Sequence, residues 1–178
     1  MNRLLKLFHK EERGVTLIEL SLAIAITALL VTGFTMTFYQ VATANIRSAA
    51  HMTAVKQVES ALYWINCDVQ MSQDISTDHD PVDTGFPLTL SWSDYTAGGN
   101  QYQAVYTLVD NHLVRAYSIN GGDPTNITIA KYISMDSTNT TCQYSEGTLS
   151  IKLTASVGDD NPSIETRVYQ IKRRTDSS

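Results

Sequence analysis

The chain has 178 residues, about the length of a single domain. Its 13 basic and 18 acidic residues leave a net charge of -5, which argues against a phosphate-binding surface for nucleic acid. Two cysteines exclude a disulfide-dense scaffold and a four-cysteine zinc site.

The charged residues are unevenly spread. Residues 1–14 form a basic head, with Arg3, Lys6, Lys10 and Arg13 against Glu11 and Glu12. Without these four basic and two acidic residues, 9 basic and 16 acidic remain, a net of -7. Val15 to Phe34 then reads as a span of mostly apolar residues, long enough to cross a bilayer. The positive-inside rule keeps the basic head cytoplasmic and puts the chain beyond the apolar span on the outer side. From Leu20 to Ile46 there is no charged side chain, so Glu19 is the one charge inside the apolar run. An unpaired carboxylate there costs several kcal/mol and marks a functional residue by default.

The helical pattern continues to about Ile75, giving an expected helix over Val15–Ile75. Val55, Val58, Leu62, Ile65 and Val69 recur at spacings of three and four, one apolar stripe of an amphipathic helix. The first half is apolar all round, whereas the second needs one sheet to cover it.

Beyond the helix the period changes to two. Strands are expected at Leu88–Trp92, Tyr102–Val109, His112–Ile119, Thr125–Ile133, Thr148–Ala155 and Ile164–Lys172. Asp110-Asn111 is a two-residue hairpin turn, and Gly98-Gly99, Gly121-Gly122 and Asp159-Asp160-Asn161-Pro162 punctuate other connections. Strands in direct succession, without helices between them, pair antiparallel. The expected fold is therefore α+β, in segments 1–14 (leader), 15–40 (transmembrane half-helix), 41–76 (amphipathic half-helix) and 77–178 (extracytoplasmic antiparallel β domain).

The stretch Arg13-Gly14-Val15-Thr16-Leu17-Ile18-Glu19-Leu20 resembles the N-terminal signal of type IV pilins and type II secretion pseudopilins. The resemblance implies cleavage after Gly14 by a membrane prepilin peptidase, N-methylation of the new terminus Val15, and assembly through Glu19. Val15 departs from the phenylalanine or methionine of many members. The fifth-residue carboxylate of one subunit would meet the terminal amine of a neighbour, or that of its own chain one helical turn away, since two buried charges become tolerable as a pair. Leu62–Ile75, Ala104–Leu108 and Leu113–Arg115 further resemble minor pseudopilins of the J type and PilW-like proteins. The implied partners are the peptidase/N-methyltransferase, other pilin or pseudopilin subunits, an assembly platform protein and membrane lipid. The implied location is the cytoplasmic membrane, single-pass, then a periplasmic or extracellular filament. Two rival readings are a membrane-anchored binding module that keeps residues 1–14, and a DNA-uptake (competence) pseudopilin.

Other features carry less. Cys67 and Cys142 would both lie where disulfides form, and a helix-to-sheet bridge and two separate thiols both stay open. Asp78, Asp80 and Asp83 cluster before Gly85 but lack the spacing of a calcium loop, so a solvated acidic turn and no metal are expected. Asn126-Ile127-Thr128 and Asn139-Thr140-Thr141 match a glycosylation triplet that chance supplies often. No nucleophile–base arrangement, phosphate loop or dinucleotide fingerprint occurs, so neither enzyme activity nor a cofactor is expected.

Overall fold

The computed structural model describes residues 15–77, 85–94, 98–159 and 161–172. The chain divides into two compact units, Met1–Asn45 and Ile46–Ser178.

In the first unit, Val15 and Thr16 are non-helical and α1 (Leu17–Met71) begins at Leu17, two residues later than the apolar run alone suggests. The cause is local. Thr16 supplies the carbonyl that accepts from the Glu19 and Leu20 N–H groups at 3.0 and 3.1 Å, and its side chain caps the same turn. No residue from Leu17 to Val41 is buried.

In the second unit, α1 carries a stripe of buried residues: Ala54, Val58, Ala61, Leu62, Ile65, Asp68 and Val69. Four of the five stripe positions expected from periodicity are buried. The fifth, Val55, is half-buried, with Ala54 in its place. The helix ends at Met71 rather than Ile75, because Ser72 turns the chain. Its N–H donates to the Asp68 and Val69 carbonyls, and its hydroxyl donates to Val69 at 2.8 Å. Ile75 belongs instead to a short strand, β1 (Asp74–Thr77), where it is buried opposite Leu90.

Two antiparallel sheets replace the single expected one. The first is a meander in chain order: β1, β2 (Leu88–Ser93), β3 (Gln101–Val109), β4 (His112–Ile119) and β5 (Thr125–Lys131). The second contains β6 (Thr141–Ser145), β7 (Thr148–Val157) and β8 (Ser163–Lys172). β5 stops two residues before the expected Ile133. Tyr132 adopts a φ of 63°, which ends the extended run, and Ile133 forms a single bridge to Ala155 of β7. Asp110-Asn111 turns between β3 and β4 with φ of 49° and 61°, the left-handed pair of a type I′ hairpin.

Alternation places Leu88, Leu90, Ala104, Tyr106 and Leu113 on one face of the first sheet, and Leu149, Ile151 and Leu153 on one face of the second; all are buried. These join Val58, Ile65 and Val69 of α1 in one core cluster. Each such aliphatic side chain removed from water contributes about 1.5–3 kcal/mol. Polar contacts fix where the helix lies. The Ser60 hydroxyl donates to the Ile129 carbonyl at 2.9 Å, the Lys131 N–H donates to Gln57 at 2.7 Å, and Arg167 of β8 pairs with Glu59 at 3.1 Å. Gly85 (φ 77°) passes so close to β6 that a Cβ there would stand 1.9 Å from the Cys142 carbonyl oxygen.

Candidate functional site

The residues singled out by the N-terminal motif fall where the chain enters α1. Gly14 lies outside the described residues. Val15 is exposed and precedes the helix, while Glu19 occupies its first turn. There its negative charge is favoured by the partial positive charge of the unpaired N–H groups. The Glu19 N–H donates to Thr16 Oγ1 at 3.3 Å, and the Thr16 hydroxyl donates to Glu19 Oε2 at 3.3 Å. Thr16-Leu17-Ile18-Glu19 thus fits the threonine-x-x-glutamate pattern of a helix start, a local signal that the surrounding apolar run obscures.

The surface from Leu20 to Ile46 is uncharged and mostly apolar. Each large apolar side chain from Leu17 to Ile46 is at least half exposed, from Ile26 at 50% to Leu17 at 84%. The helix is long and apolar enough to cross a membrane, and none of its most apolar stretch is buried. The serine and threonine hydroxyls inside this stretch are satisfied within the helix. Ser21, Thr27, Thr32, Thr35, Thr37 and Thr43 each donate to the carbonyl four residues back, at 2.7–2.9 Å. Such back-bonding hides hydroxyls from lipid. The Glu19 carboxylate cannot be hidden this way, and its one partner among the described residues is the Thr16 hydroxyl.

A second polar constellation emerges only in three dimensions. Asp68, on the buried face of α1, receives Arg115 of β4 in a fork: Nε donates to Oδ2 at 2.7 Å and Nη2 donates to Oδ1 at 3.0 Å. Tyr106 of β3 donates its hydroxyl to the same Oδ2. The guanidinium stacks 4.6 Å from the Tyr117 ring centroid and 5.3 Å from that of Trp64. Burial, reinforced by the bond to Asp68, pushes the Tyr106 hydroxyl pKa well above the ordinary tyrosine range. Burial alone would lower the Arg115 pKa, but the hydrogen bond and charge of Asp68 outweigh it and the net shift is upward. The fork joins α1 to the first sheet inside the core. The signals for this pair in the sequence are an aspartate in the helical stripe and an arginine at the inward position between Leu113 and Tyr117.

The remaining candidates are dispersed. Cys67 is half-buried on α1, Cys142 is buried on β6, and both are free thiols. Burial pushes the Cys142 thiol pKa up to about 12. Asp78, Asp80 and Asp83 lie outside the described residues. Asn126 is exposed on β5, and Asn139 lies in the turn before β6.

Compared with known families, residues 9–35 match the model of the prokaryotic N-terminal methylation motif. No curated protein and no solved structure matched the chain. The match spans the end of the basic head (residues 9–14, with Lys10, Arg13 and Gly14), Glu19 and the apolar start of α1. It implies processing by prepilin peptidase and assembly with other pilins, and the exposed apolar helix fits a single-pass membrane anchor. The long helix followed by antiparallel sheets fits the architecture that accompanies such a motif. The chain therefore carries a type IV pilin-like prepilin signal over residues 9–35.

Proposed function

We propose that this protein is a filament subunit of a type IV pilus or type II secretion-like system, cleaved after Gly14, N-methylated at Val15 and assembled through the apolar half of α1. The observation that carries this reading is Glu19, a lone carboxylate with no cation between it and Arg47, four residues from the residue whose amine the cleavage would free. In lipid such a group is costly unless paired. The amine of Val15 in a neighbouring subunit is a cation of opposite sign at a fixed offset along the helix, so pairing favours packing in one register over solitary subunits. Removing residues 1–14 discards the basic head and keeps the anchor. The resemblance of residues 62–75, 104–108 and 113–115 to minor subunits supports a role as a minor component, with the sheets extracytoplasmic.

The test is Glu19→Ala in the full chain in its own host. The variant is expected to be processed and held in the membrane but lost from sheared filaments by at least tenfold. Undiminished incorporation would show that the charge pair does not drive assembly. The copy number relative to the principal subunit, measured in the same filaments, tests the minor role.

A further inference from the structure

We infer that the groove between α1 and β8 binds an extended segment of a partner polypeptide, which joins the second sheet as a further strand beside β8. β7 pairs with β8 along all of Ser163–Lys172, and no other described strand does. Every second residue of β8 therefore turns its N–H and C=O away from β7. Among the described residues these groups have no other partner. The devices that usually blunt such an edge are missing. The strand holds no proline, its register with β7 is unbroken, and its central charges Glu165 and Arg167 are drawn to His51 and Glu59 of α1. α1 treats the two sheet edges beside it differently. On β5, Ser60 and Gln57 occupy the Ile129 carbonyl and the Lys131 N–H. On β8, the side chains of α1 meet side chains and leave the strand's backbone open.

This open edge borders a groove of about 540 Å³, lined by Glu59, Leu62, Tyr63 and Asn66 of α1 and by residues 166–169 of β8. Residues 166–170 are all exposed, and Tyr63 and Val168 each show 66% of their surface, so the walls are apolar and uncovered. Only an extended polypeptide supplies donors and acceptors at the spacing that the edge repeats, and alternate side chains of such a strand fall into the groove beside it. The Glu59–Arg167 pair already balances charge there, so the segment that fits is uncharged, with aliphatic or β-branched residues over Tyr63 and Val168. A second copy of this chain is poorly suited. β8 runs the same way as α1, since Ser163, Glu165 and Arg167 meet Arg47, His51 and Glu59 in turn. Two β8 edges joined antiparallel would point their α1 helices in opposite directions, which anchorage in one membrane forbids. The β5 edge of a second copy is occupied by its own α1.

The experiment uses the full chain in detergent micelles. The probe is a peptide of alternating threonine and valine, about six residues long so as to span residues 166–170, together with a twin methylated at every backbone nitrogen. The twin keeps the side chains and loses the donors. With the first peptide at about ten times its Kd, hydrogen exchange at alternate amides of residues 166–170 is expected to slow about tenfold, and with the twin to stay unchanged. Tyr63→Ser, at an exposed position, is expected to weaken peptide binding about fivefold while the sheets keep their melting temperature. Protection by both peptides alike, or by neither, would overturn the inference, as would full affinity in Tyr63→Ser. In the protein's own host, a photocrosslinking phenylalanine in place of Val168 is expected to label one confined segment of a different polypeptide. Crosslinks to a second copy of this chain, crosslinks scattered over many proteins, or none at all would overturn the assignment of the partner.

Discussion

α1 is one continuous helix with two different solutions to the same problem. From Leu17 to Ile46 it exposes apolar side chains all round, and its serines and threonines are tied to the helix's own carbonyls. From Ala54 to Val69 it buries one stripe, and the charge within that stripe, Asp68, is tied to a different part of the chain. A helix that supplies its own polar partners is suited to a surrounding that has none to offer, such as lipid or the packed helices of a filament. A helix that borrows partners from strands is committed to one sheet. The two charges show the contrast most sharply. Asp68 has a two-pronged arginine partner within its own chain, whereas the partner of the Glu19 carboxylate among the described residues is the Thr16 hydroxyl.

The contrast breaks first at Asp68. Asp68→Ala leaves the Arg115 guanidinium buried without its counter-ion, and unfolding of the full chain in micelles is expected to lose about 3–5 kcal/mol. Replacing both residues with leucine should recover most of this, because a buried pair is worth little more than an apolar pair of the same volume. If Asp68→Ala costs under ~1 kcal/mol, the clamp is not what holds helix to sheet. Gly85→Ala should be of similar size, since a Cβ would meet the Cys142 carbonyl where only backbone can move and the φ of 77° already disfavours a side chain.

In the apolar half the same kind of change should act elsewhere. Leu30→Arg is expected to raise the cost of membrane insertion by about 2.5–3.5 kcal/mol while leaving unfolding of the β-sheets unchanged. A fall in the melting temperature of the sheets would mean that the two halves are not independent in this way.

These differences track what the linear order of residues makes legible. The N-terminal motif, the uncharged run and the Asp110-Asn111 turn each depend on neighbours in sequence, and all three can be read there. The end of the helix is harder to read, because Ile75 continues its apolar spacing; what stops the helix is Ser72, whose hydroxyl serves the carbonyl of Val69. β6 escapes the sequence pattern because its residues are defined by pairing with β7, and Cys142 is buried only once Ile151 lies opposite. The Asp68–Arg115 pair joins residues 47 positions apart; each sits at an inward position of its own element, but the pairing itself appears only in three dimensions. The capping pair of Thr16 and Glu19 is fully local, yet the apolar run draws the expected helix start to Val15 and hides it.

Smaller effects come from titration. The Tyr106 pKa is raised in the folded state, so its contribution is complete below the ordinary value of about 10 and is lost as pH rises beyond it. Tyr106→Phe should therefore flatten the fall in stability above pH 10 relative to the wild-type chain. An identical alkaline slope in both would mean that Tyr106 is not held in the core. Smallest is Asp136, whose pKa is lowered by the backbone N–H and then the hydroxyl of Thr138. Its contribution is present above the unfolded aspartate value and fades as pH falls through the lowered one. Asp136→Asn should lower stability slightly at neutral pH, and the difference should vanish in acid.

If this chain gives up its basic head and enters a filament with Glu19 facing a new amine, its N-terminus must record the change. The intact mass of the protein recovered from a host that carries the peptidase tests this most directly. The expected result is a chain that begins at Val15 and bears one added methyl group. A protein that retains residues 1–14, or begins at any other residue, would contradict it.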